Sequence, residues 1–352
     1  MPLPQLRWLT KDVGFRCIIG GIPEKGAPDL AWRLPVPAAE IELTRFSAED
    51  QAVPWSSLDI KAGSRIRCRK CDGTVVKDDV IKAWKDLPSE NWAEMMEFWH
   101  CHKPHDEDHH HHDDEGLAKR GYGANSAITA QPSVGFVDLT SFMFSESDCS
   151  NLSFSQSISN PETTSDNSEL ALNGESTVKS LRVFCKTCST EIGLFNVLAS
   201  SVTLFKWQVT CETGMPSKAP SSSECLAATL IATISRSGSS KSVITPHGLT
   251  FLDEKQAASL RSLYLWVLNA NVVYTSNTTQ GRKTAIKVLY QNIDEEAGNK
   301  LVESMTSGVQ EINFPAAAIE TAREVIQESN ALLPKPERLF QQWHVGLLER
   351  WA

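Results

Sequence analysis

The stretch Ser64-Arg65-Ile66-Arg67-Cys68-Arg69-Lys70-Cys71 carries the clearest structural pattern in the N-terminal part of this 352-residue chain. Its first half alternates polar and apolar residues, as a half-buried β-strand does. Its second half is a C-x-x-C pair, which places two thiols on one side of a tight turn. Gly73 follows two residues after the pair and suits a turning backbone. We therefore predict a strand that ends in a metal-binding knuckle.

A second cysteine pair repeats this design after an interval of 113 residues. The alternating stretch 180–184 predicts a strand that leads into Cys185-Lys186-Thr187-Cys188. Zn²⁺ prefers four sulfur ligands in a tetrahedron at about 2.3 Å, and a lysine inside each knuckle favours the thiolate form. We predict one structural Zn²⁺ held by Cys68, Cys71, Cys185 and Cys188. Accidental spacing and a redox dithiol are the alternatives, although the βαβ context of a thioredoxin-like protein is missing from the pattern.

The composition excludes several classes of protein. The chain has nine cysteines and a formal net charge of −9. Its start carries no basic segment followed by an apolar one, and no apolar run approaches the roughly 20 residues of a membrane-spanning helix. We therefore expect neither a secreted nor a membrane protein, and we expect the thiols to stay reduced unless a metal or a reaction engages them. The acidic balance, without an aromatic and basic pattern, gives no expectation of direct nucleic-acid binding.

The acidic charge is concentrated in two segments of low complexity. Residues 105–115 form a His and Asp run, and residues 145–178 are dominated by Ser, Asn and Thr; each holds six acidic residues and no Lys or Arg. Neither segment has enough apolar surface to offset the entropy of ordering, so we predict disordered insertions near 105–130 and 145–178. The remainder of the chain would carry a formal charge of +3, which permits docking onto an acidic partner.

The pattern of the chain predicts an α+β fold with two parts. Residues 1–212 are expected to form a β-rich, zinc-stabilised domain, and residues 213–352 a mixed α/β domain. Helices are predicted over 226–234, 254–268 and 316–326, together with a last helix that carries the apolar residues of 339–348. Strands are predicted over 39–43, 135–140, 271–275 and 284–290, and one strand face is expected to carry the apolar residues of 203–211, Cys211 among them.

The stretch Trp99-His100-Cys101-His102 is the most unusual in composition. Imidazole beside a thiol can lower its pKa and create a nucleophile, so Cys101 is a candidate catalytic residue. The same four residues could instead ligate a metal or contact a partner protein. A buried cysteine with ordinary histidine neighbours is the structural alternative, and all three interpretations stay open at this point. The His run at 109–112 is interpreted as part of a solvated loop.

Several of these motifs occur together in one known family. They are Cys68-Arg69-Lys70-Cys71, Leu87-Pro88-Ser89-Glu90-Asn91-Trp92 running into Trp99-His100-Cys101-His102, Phe184-Cys185-Lys186-Thr187-Cys188 with Gly193, and the ending 339–350. In their number and order the chain resembles the HECT-like ubiquitin-conjugating-enzyme-binding protein family. The resemblance implies a ubiquitin ligase that binds a ubiquitin-conjugating enzyme, with the four cysteines of the two pairs as zinc ligands and residues 99–102 as a partner-binding surface. It also implies a HECT-like C-terminal domain and a location in nucleus and cytoplasm.

One departure bears on the mechanism. A true HECT ligase carries its acceptor cysteine near the C-terminus, whereas no cysteine follows Cys225 here. An acceptor would have to be Cys101, Cys211 or Cys225, and Cys101 has the flanking histidines that would activate it. Members of the family are also tied to the endonuclease subunit that cleaves pre-mRNA before polyadenylation. A non-catalytic assembly factor for that endonuclease is therefore the alternative function, with the endonuclease as a second partner.

Overall fold

The computed structural model describes ten segments of the chain. They are 16–18, 31–33, 52–87, 130–155, 180–197, 199–215, 217–246, 261–276, 281–304 and 306–351. Within them the protein is a mixed α and β structure that is rich in strands and has three α-helices. The mixed fold class predicted from the sequence is confirmed at this level.

Short strands dominate the first half of the described chain, and its three α-helices all lie in the second half. The strands are β1 (Arg16–Ile18), β2 (Ala31–Arg33), β3 (Ile66–Cys68), β4 (Thr74–Val76), β5 (Ala83–Asp86), β6 (Val134–Val137), β7 (Ser141–Ser145), β8 (Leu152–Phe154), β9 (Ser180–Cys185), β10 (Glu191–Asn196), β11 (Ser201–Phe205), β12 (Val209–Thr210), β13 (Lys241–Pro246), β14 (Ser262–Tyr274), β15 (Lys283–Ile293), β16 (Gln310–Phe314), β17 (Leu339–Phe340) and β18 (Trp343–Glu349). The α-helices are α1 (Ser222–Ser237), α2 (Glu295–Glu303) and α3 (Ala316–Asn330), and short 3-10 helices cover Glu146–Asp148, Lys206–Gln208 and Lys335–Glu337.

Two sheets share one apolar core in the first half of the chain. A seven-stranded sheet has the order β5-β6-β7-β11-β10-β9-β8, and a three-stranded sheet has the order β12-β3-β4. All neighbours are antiparallel except β5 and β6. Ile66, Phe142, Phe144 and Val183 are fully buried in the core between them. This arrangement brings the ends of β3 and β9, and thus both cysteine pairs, to the same apolar cluster. A separate antiparallel pair, β1 and β2, lies outside both sheets.

The second half of the chain is built on a six-stranded sheet. Its order is β16-β13-β14-β15-β18-β17, with β13 and β16 parallel and the other pairs antiparallel. Alternate residues of the strands face opposite sides, so two apolar clusters form. Helices α1 and α3 cover one face through residues such as Leu226 and Ile326, and α2 packs on the other face beside Val243 and Trp343. Both faces of this sheet are therefore sealed by helices.

Local signals in the sequence fix the bounds of α1. The Ser221 hydroxyl accepts a hydrogen bond from the backbone N–H of Glu224 at 3.1 Å, and the Glu224 carboxylate accepts one from the backbone N–H of Ser221 at 2.9 Å. This reciprocal capping box satisfies two donors that a helix start leaves unpaired. At the other end Gly238 adopts φ +70°, the left-handed conformation that ends many helices. Helices predicted over 226–234 and 316–326 are confirmed within α1 and α3.

Two predicted helices are wrong in this structure. The C-terminal apolar residues form the hairpin of β17 and β18, not a helix, because Trp343, Val345 and Leu347 alternate toward one face of the sheet. Residues 262–268 lie in β14, where alternate residues again face opposite sides. The remainder of that predicted helix, 254–260, lies outside the described residues, as does the predicted strand at 39–43. Strands predicted over 135–140 and 284–290 are found as β6 and β15, within one to three residues.

The predicted insertion at 145–178 is interrupted by ordered structure at its start. Residues 145–155 include the last residue of β7, a 3-10 helix and β8, which pairs with β9 at the edge of the seven-stranded sheet. Composition alone missed this segment because its contacts are long-range. The rest of the predicted insertion, 156–178, lies outside the described residues. No helix in the described segments is both long and apolar enough to span a bilayer.

Candidate metal centre

The first C-x-x-C pair lies at the turn between β3 and β4. The backbone N–H of Asp72 donates to the carbonyl of Cys68 at 2.9 Å, and the N–H of Cys68 donates to the carbonyl of Gly73 at 2.8 Å. Asp72 takes φ +60°, a left-handed conformation that aspartate tolerates better than most residues. These bonds fold the four residues from Cys68 to Cys71 into a tight knuckle with both thiols on one side.

The second pair, between β9 and β10, repeats this geometry residue for residue. Ser189 donates its N–H to the carbonyl of Cys185 at 2.8 Å and takes φ +55°. The N–H of Cys185 donates to the carbonyl of Thr190 at 2.9 Å, in the same position of the turn as the bond from Cys68 to Gly73. Two knuckles of one design are built from unrelated intervening residues, so the cysteine spacing and the turn geometry belong together.

The two knuckles face each other and bring four sulfurs together. The Cys68 and Cys188 sulfurs are 3.7 Å apart, those of Cys71 and Cys185 are 3.6 Å apart, and all four sulfurs lie within 4.8 Å of one another. A sulfur tetrahedron around Zn²⁺ at about 2.3 Å has edges of about 3.8 Å, so the spacing fits this ion. It is much longer than a disulfide bond of about 2.05 Å, and the four thiols are unbridged. Convergence of both pairs argues against accidental spacing.

The surroundings of the sulfurs shift the thiol pKa values in opposite directions. Burial raises the pKa of Cys68 to about 12. At Cys188 the hydroxyl of Thr190, 3.3 Å from the sulfur, and the backbone N–H of the same residue lower the pKa to about 6. A metal ion is the group that can hold all four thiolates together, since it replaces the protons that burial would otherwise retain. Four thiolates are a donor set that Zn²⁺ accepts, so these residues could hold a metal ion.

One residue close to the sulfurs was missed by the sequence analysis. The side-chain amide of Asn151 donates to the Cys185 sulfur at 3.7 Å. Asn151 lies in the segment that composition assigned to a disordered insertion. The sequence contains only a weak signal for it. Asparagine tolerates the left-handed conformation, and Asn151 takes φ +57° directly before the first residue of β8.

The first knuckle also contacts the linker that leads to the second half of the chain. The Arg69 guanidinium donates from one nitrogen to the carbonyls of Trp207 and Pro220 at 3.2 and 3.0 Å. The ring of Trp207 stacks between Phe205 at 4.9 Å and Phe314 of β16 at 5.2 Å. An arginine inside the candidate metal centre therefore holds the segment that joins the two large sheets.

Comparison with known proteins assigns the chain to a family. The family described as HECT-like ubiquitin-conjugating enzyme (E2)-binding matches residues 16–345, nearly the whole chain. The chain belongs to this HECT-like family. The knuckles, the linker and all of the six-stranded sheet except the end of β18 lie within the matched range, so the resemblance predicted from the motifs is confirmed.

Two fungal proteins are similar to this HECT-like chain. Uncharacterized protein YJR141W of Saccharomyces cerevisiae is 24% identical over 296 residues, which is 83% of this chain and 71% of that protein. Uncharacterized protein C1734.10c of Schizosaccharomyces pombe is 41% identical over 61 residues, 16% of this chain and 17% of that protein. No solved structure matches the chain significantly.

Three of the five remaining cysteines of this HECT-like chain have described side chains. Cys225 is fully buried in α1, and Cys149 and Cys211 pack against the core that the knuckles share. Burial raises the pKa of each of these three thiols to about 12, so they are protonated at neutral pH. The predicted surface Trp99, His100, Cys101 and His102 lies outside the described residues, and the catalytic and partner-binding roles assigned to it stay predictions.

Proposed function

We propose that this HECT-like protein binds a ubiquitin-conjugating enzyme and that a structural Zn²⁺ at Cys68, Cys71, Cys185 and Cys188 stabilises its N-terminal part. The family match over residues 16–345 carries the proposal, because it covers both knuckles and nearly all of the C-terminal sheet. The four-sulfur geometry supports the metal. In this proposal the β-rich zinc-binding domain ends near residue 212, and the HECT-like domain follows it.

A binding experiment tests the first half of the proposal. Purified full-length protein is titrated against a panel of ubiquitin-conjugating enzymes in a calorimeter, with and without prior chelation of metal. We expect saturable one-to-one binding to at least one member. Absence of heat for every enzyme, free or charged with ubiquitin, would contradict the proposal. Elemental analysis of the same sample is expected to give one zinc per chain.

Ligase-like chemistry is the finer part of the proposal, and it depends on an acceptor thiol. In such a transfer the thiolate attacks the carbonyl of the enzyme–ubiquitin thioester, a new thioester forms, and the thiol of the conjugating enzyme leaves. Cys211 and Cys225, two of the candidates from the sequence, are poor nucleophiles because burial raises their pKa to about 12. Cys101 is therefore the residue through which we propose that transfer passes.

Variant proteins separate transfer from binding. With charged conjugating enzyme, the wild-type chain is expected to form an adduct that is lost under reducing conditions, and Cys101→Ala to form none. Cys149→Ala is the matched control, since it removes a thiol outside the candidate acceptors. An adduct that persists in Cys101→Ala would exclude this residue as the acceptor while leaving the binding proposal intact.

A second candidate function is a non-catalytic assembly factor for the pre-mRNA cleavage endonuclease, acting in nucleus and cytoplasm. One observation favours it. Among the cysteines with described side chains, those outside the four-sulfur cluster are buried or half-buried, so none of them is an exposed thiol. Affinity purification from cells distinguishes the two functions. Recovery of endonuclease subunits without any conjugating enzyme would support the assembly factor, and the reverse would count against it.

A further inference from the structure

A fifth side chain, that of Asn151, contacts the four-sulfur cluster. We infer that Asn151 is a positioning residue of the metal centre: its side-chain amide orients the Cys185 thiolate and, with the adjoining backbone, joins the two knuckles. This inference rests on the proposed Zn²⁺. Metal ligands are commonly held by such outer hydrogen bonds, whose loss weakens metal binding without removing a ligand.

The backbone next to Asn151 links both hairpins. Ser150 donates from its N–H to the carbonyl of Val75 in β4 at 2.7 Å, and its hydroxyl reaches the same carbonyl at 3.2 Å. The carbonyl of Asn151 accepts from the N–H of Lys186, inside the second knuckle, at 2.9 Å. Two successive residues therefore hold one hairpin each.

The side chain of Asn151 reaches further into the centre. Its amide nitrogen donates to the Cys185 sulfur at 3.7 Å, and its carbonyl oxygen accepts from the Thr187 hydroxyl at 3.1 Å. Both partners belong to the second knuckle. An N–H donor at a thiolate stabilises the negative charge on the sulfur, whereas a carboxylate in the same place would repel it.

Gly73 of the first knuckle leaves the space that this amide occupies. A Cβ at Gly73 would lie 2.9 Å from the Asn151 amide nitrogen and 3.3 Å from both the Cys71 sulfur and the Thr187 hydroxyl. Any larger residue would push the amide away from the sulfurs. Gly73, which suits a turning backbone, therefore also leaves room for the Asn151 side chain.

Three substitutions test the inference in the full-length chain. Asn151→Asp keeps the shape and the left-handed conformation but replaces the N–H donor with a carboxylate oxygen. Asn151→Gly removes the side chain without backbone strain at φ +57°. Asn196→Ala is the matched control: Asn196 bonds the backbone of Ala199 at the far end of β10 in the same sheet, and it is not among the residues of the four-sulfur cluster.

The readouts are zinc affinity by competition with a chelator and the sulfur-to-metal charge-transfer band after replacement by Co²⁺. We expect Asn151→Asp to bind zinc about 10–100-fold more weakly, Asn151→Gly to fall between it and the wild type, and both to shift the Co²⁺ band to longer wavelength. Asn196→Ala should match the wild type in both. Unchanged zinc affinity and band in Asn151→Asp would overturn the inference, as would an effect on thermal stability alone.

Failure of the Asn151 role is distinguishable from failure of the proposals on which it depends. If the wild-type chain binds neither Zn²⁺ nor Co²⁺, the metal proposal and this inference fall together. If the wild type binds both ions and the Asn151 variants do the same, only the role of Asn151 falls. Binding of a conjugating enzyme is measured separately on the same proteins and decides neither outcome.

Discussion

Different interactions stabilise the three-stranded sheet of the first half and the six-stranded sheet of the second half. In the first, β3, β4 and β12 have two or three residues each. In the second, β14 and β15 have 13 and 11 residues, and helices seal both faces. Short strands form few ladder bonds and are marginal alone. The first sheet therefore depends on contacts outside its own ladder: the apolar core that it shares with the seven-stranded sheet, and the four-sulfur cluster at the end of β3.

Removing one of the four clustered cysteines should have the largest effect on the first region. Structural zinc contributes on the order of 10 kcal/mol to the folding of small metal-dependent domains. We expect Cys68→Ser or Cys185→Ser to abolish zinc binding and to remove hydrogen-exchange protection from β3, β4, β9 and β10, while β14 and β15 stay protected. Cys149→Ala should retain zinc. Equal loss of protection in both halves would show that the two regions do not differ in this way.

A core deletion in the second half tests the other side of the comparison. Leu265 of β14 is fully buried, and its truncation to alanine should cost about 2–5 kcal/mol in the free energy of unfolding. Zinc content should be unchanged. Leu268→Ala in the same strand is the control, because this side chain is 46% exposed and should lose little. Denaturant unfolding measures both; a loss of zinc in Leu265→Ala would contradict independent stabilisation.

A buried lysine should make the stability of the first region depend on pH. The Lys206 ammonium is fully buried and donates to the carbonyls of Pro54 and Asp138, and burial lowers the pKa of Lys206 from 10.5 to about 8. Between these values the unfolded chain binds the proton and the folded chain does not. The free energy of unfolding should therefore rise with pH through this window, by at most about 3 kcal/mol from this group.

The control for this pH effect is Lys206→Met, which keeps the length of the side chain and removes the charge. Buried thiols such as Cys211 and Cys225 act in the opposite direction, since burial raises their pKa to about 12 and their contribution falls as pH rises above 9. The difference between wild type and Lys206→Met isolates the lysine. If that difference in unfolding free energy is the same at pH 7.5 and pH 10, the assignment is wrong.

The smallest expected effect concerns the connection between the two regions. Arg69 is exposed, so replacing it with glutamine should cost about 1 kcal/mol or less. Its bonds to the Trp207 and Pro220 carbonyls nevertheless join the metal centre to the linker. We expect calorimetry of Arg69→Gln to show a broader, less cooperative transition. Arg182→Gln, whose ion pair with Glu191 lies inside the first region, should lower stability without broadening.

The sequence identified the four cysteines of the candidate metal centre but not the residue that contacts them from β8's side of the sheet edge, Asn151. Each C-x-x-C pair is a local pattern, so Cys68, Cys71, Cys185 and Cys188 could be assigned without knowledge of the fold. Asn151 could not, because its role depends on a long-range contact with Cys185. The surrounding Ser-rich and Asn-rich composition points toward disorder when contacts are unknown.

The C-terminal hairpin shows the same limit on secondary structure. Apolar residues at Phe340, Trp343, Leu347 and Leu348 have helical spacing, while Trp343, Val345 and Leu347 also alternate. Pairing with β15 favours the strand over the helix, because residues Ala285 to Tyr290 of β15 pair with β18. A Cβ on Gly346 would lie 2.3 Å from the Ile326 side chain of α3, so this strand also depends on a close approach that periodicity cannot reveal.

The 120 positions between Cys68 and Cys188 have a consequence for the order of folding during synthesis. At about 5–20 residues per second, a ribosome needs roughly 6–24 s to pass from the first of these cysteines to the last. For that interval the first knuckle is an open dithiol on a nascent chain, and β3 also waits for β12, its partner near residue 209. A metal site made of all four cysteines can therefore be completed only after the second knuckle leaves the exit tunnel.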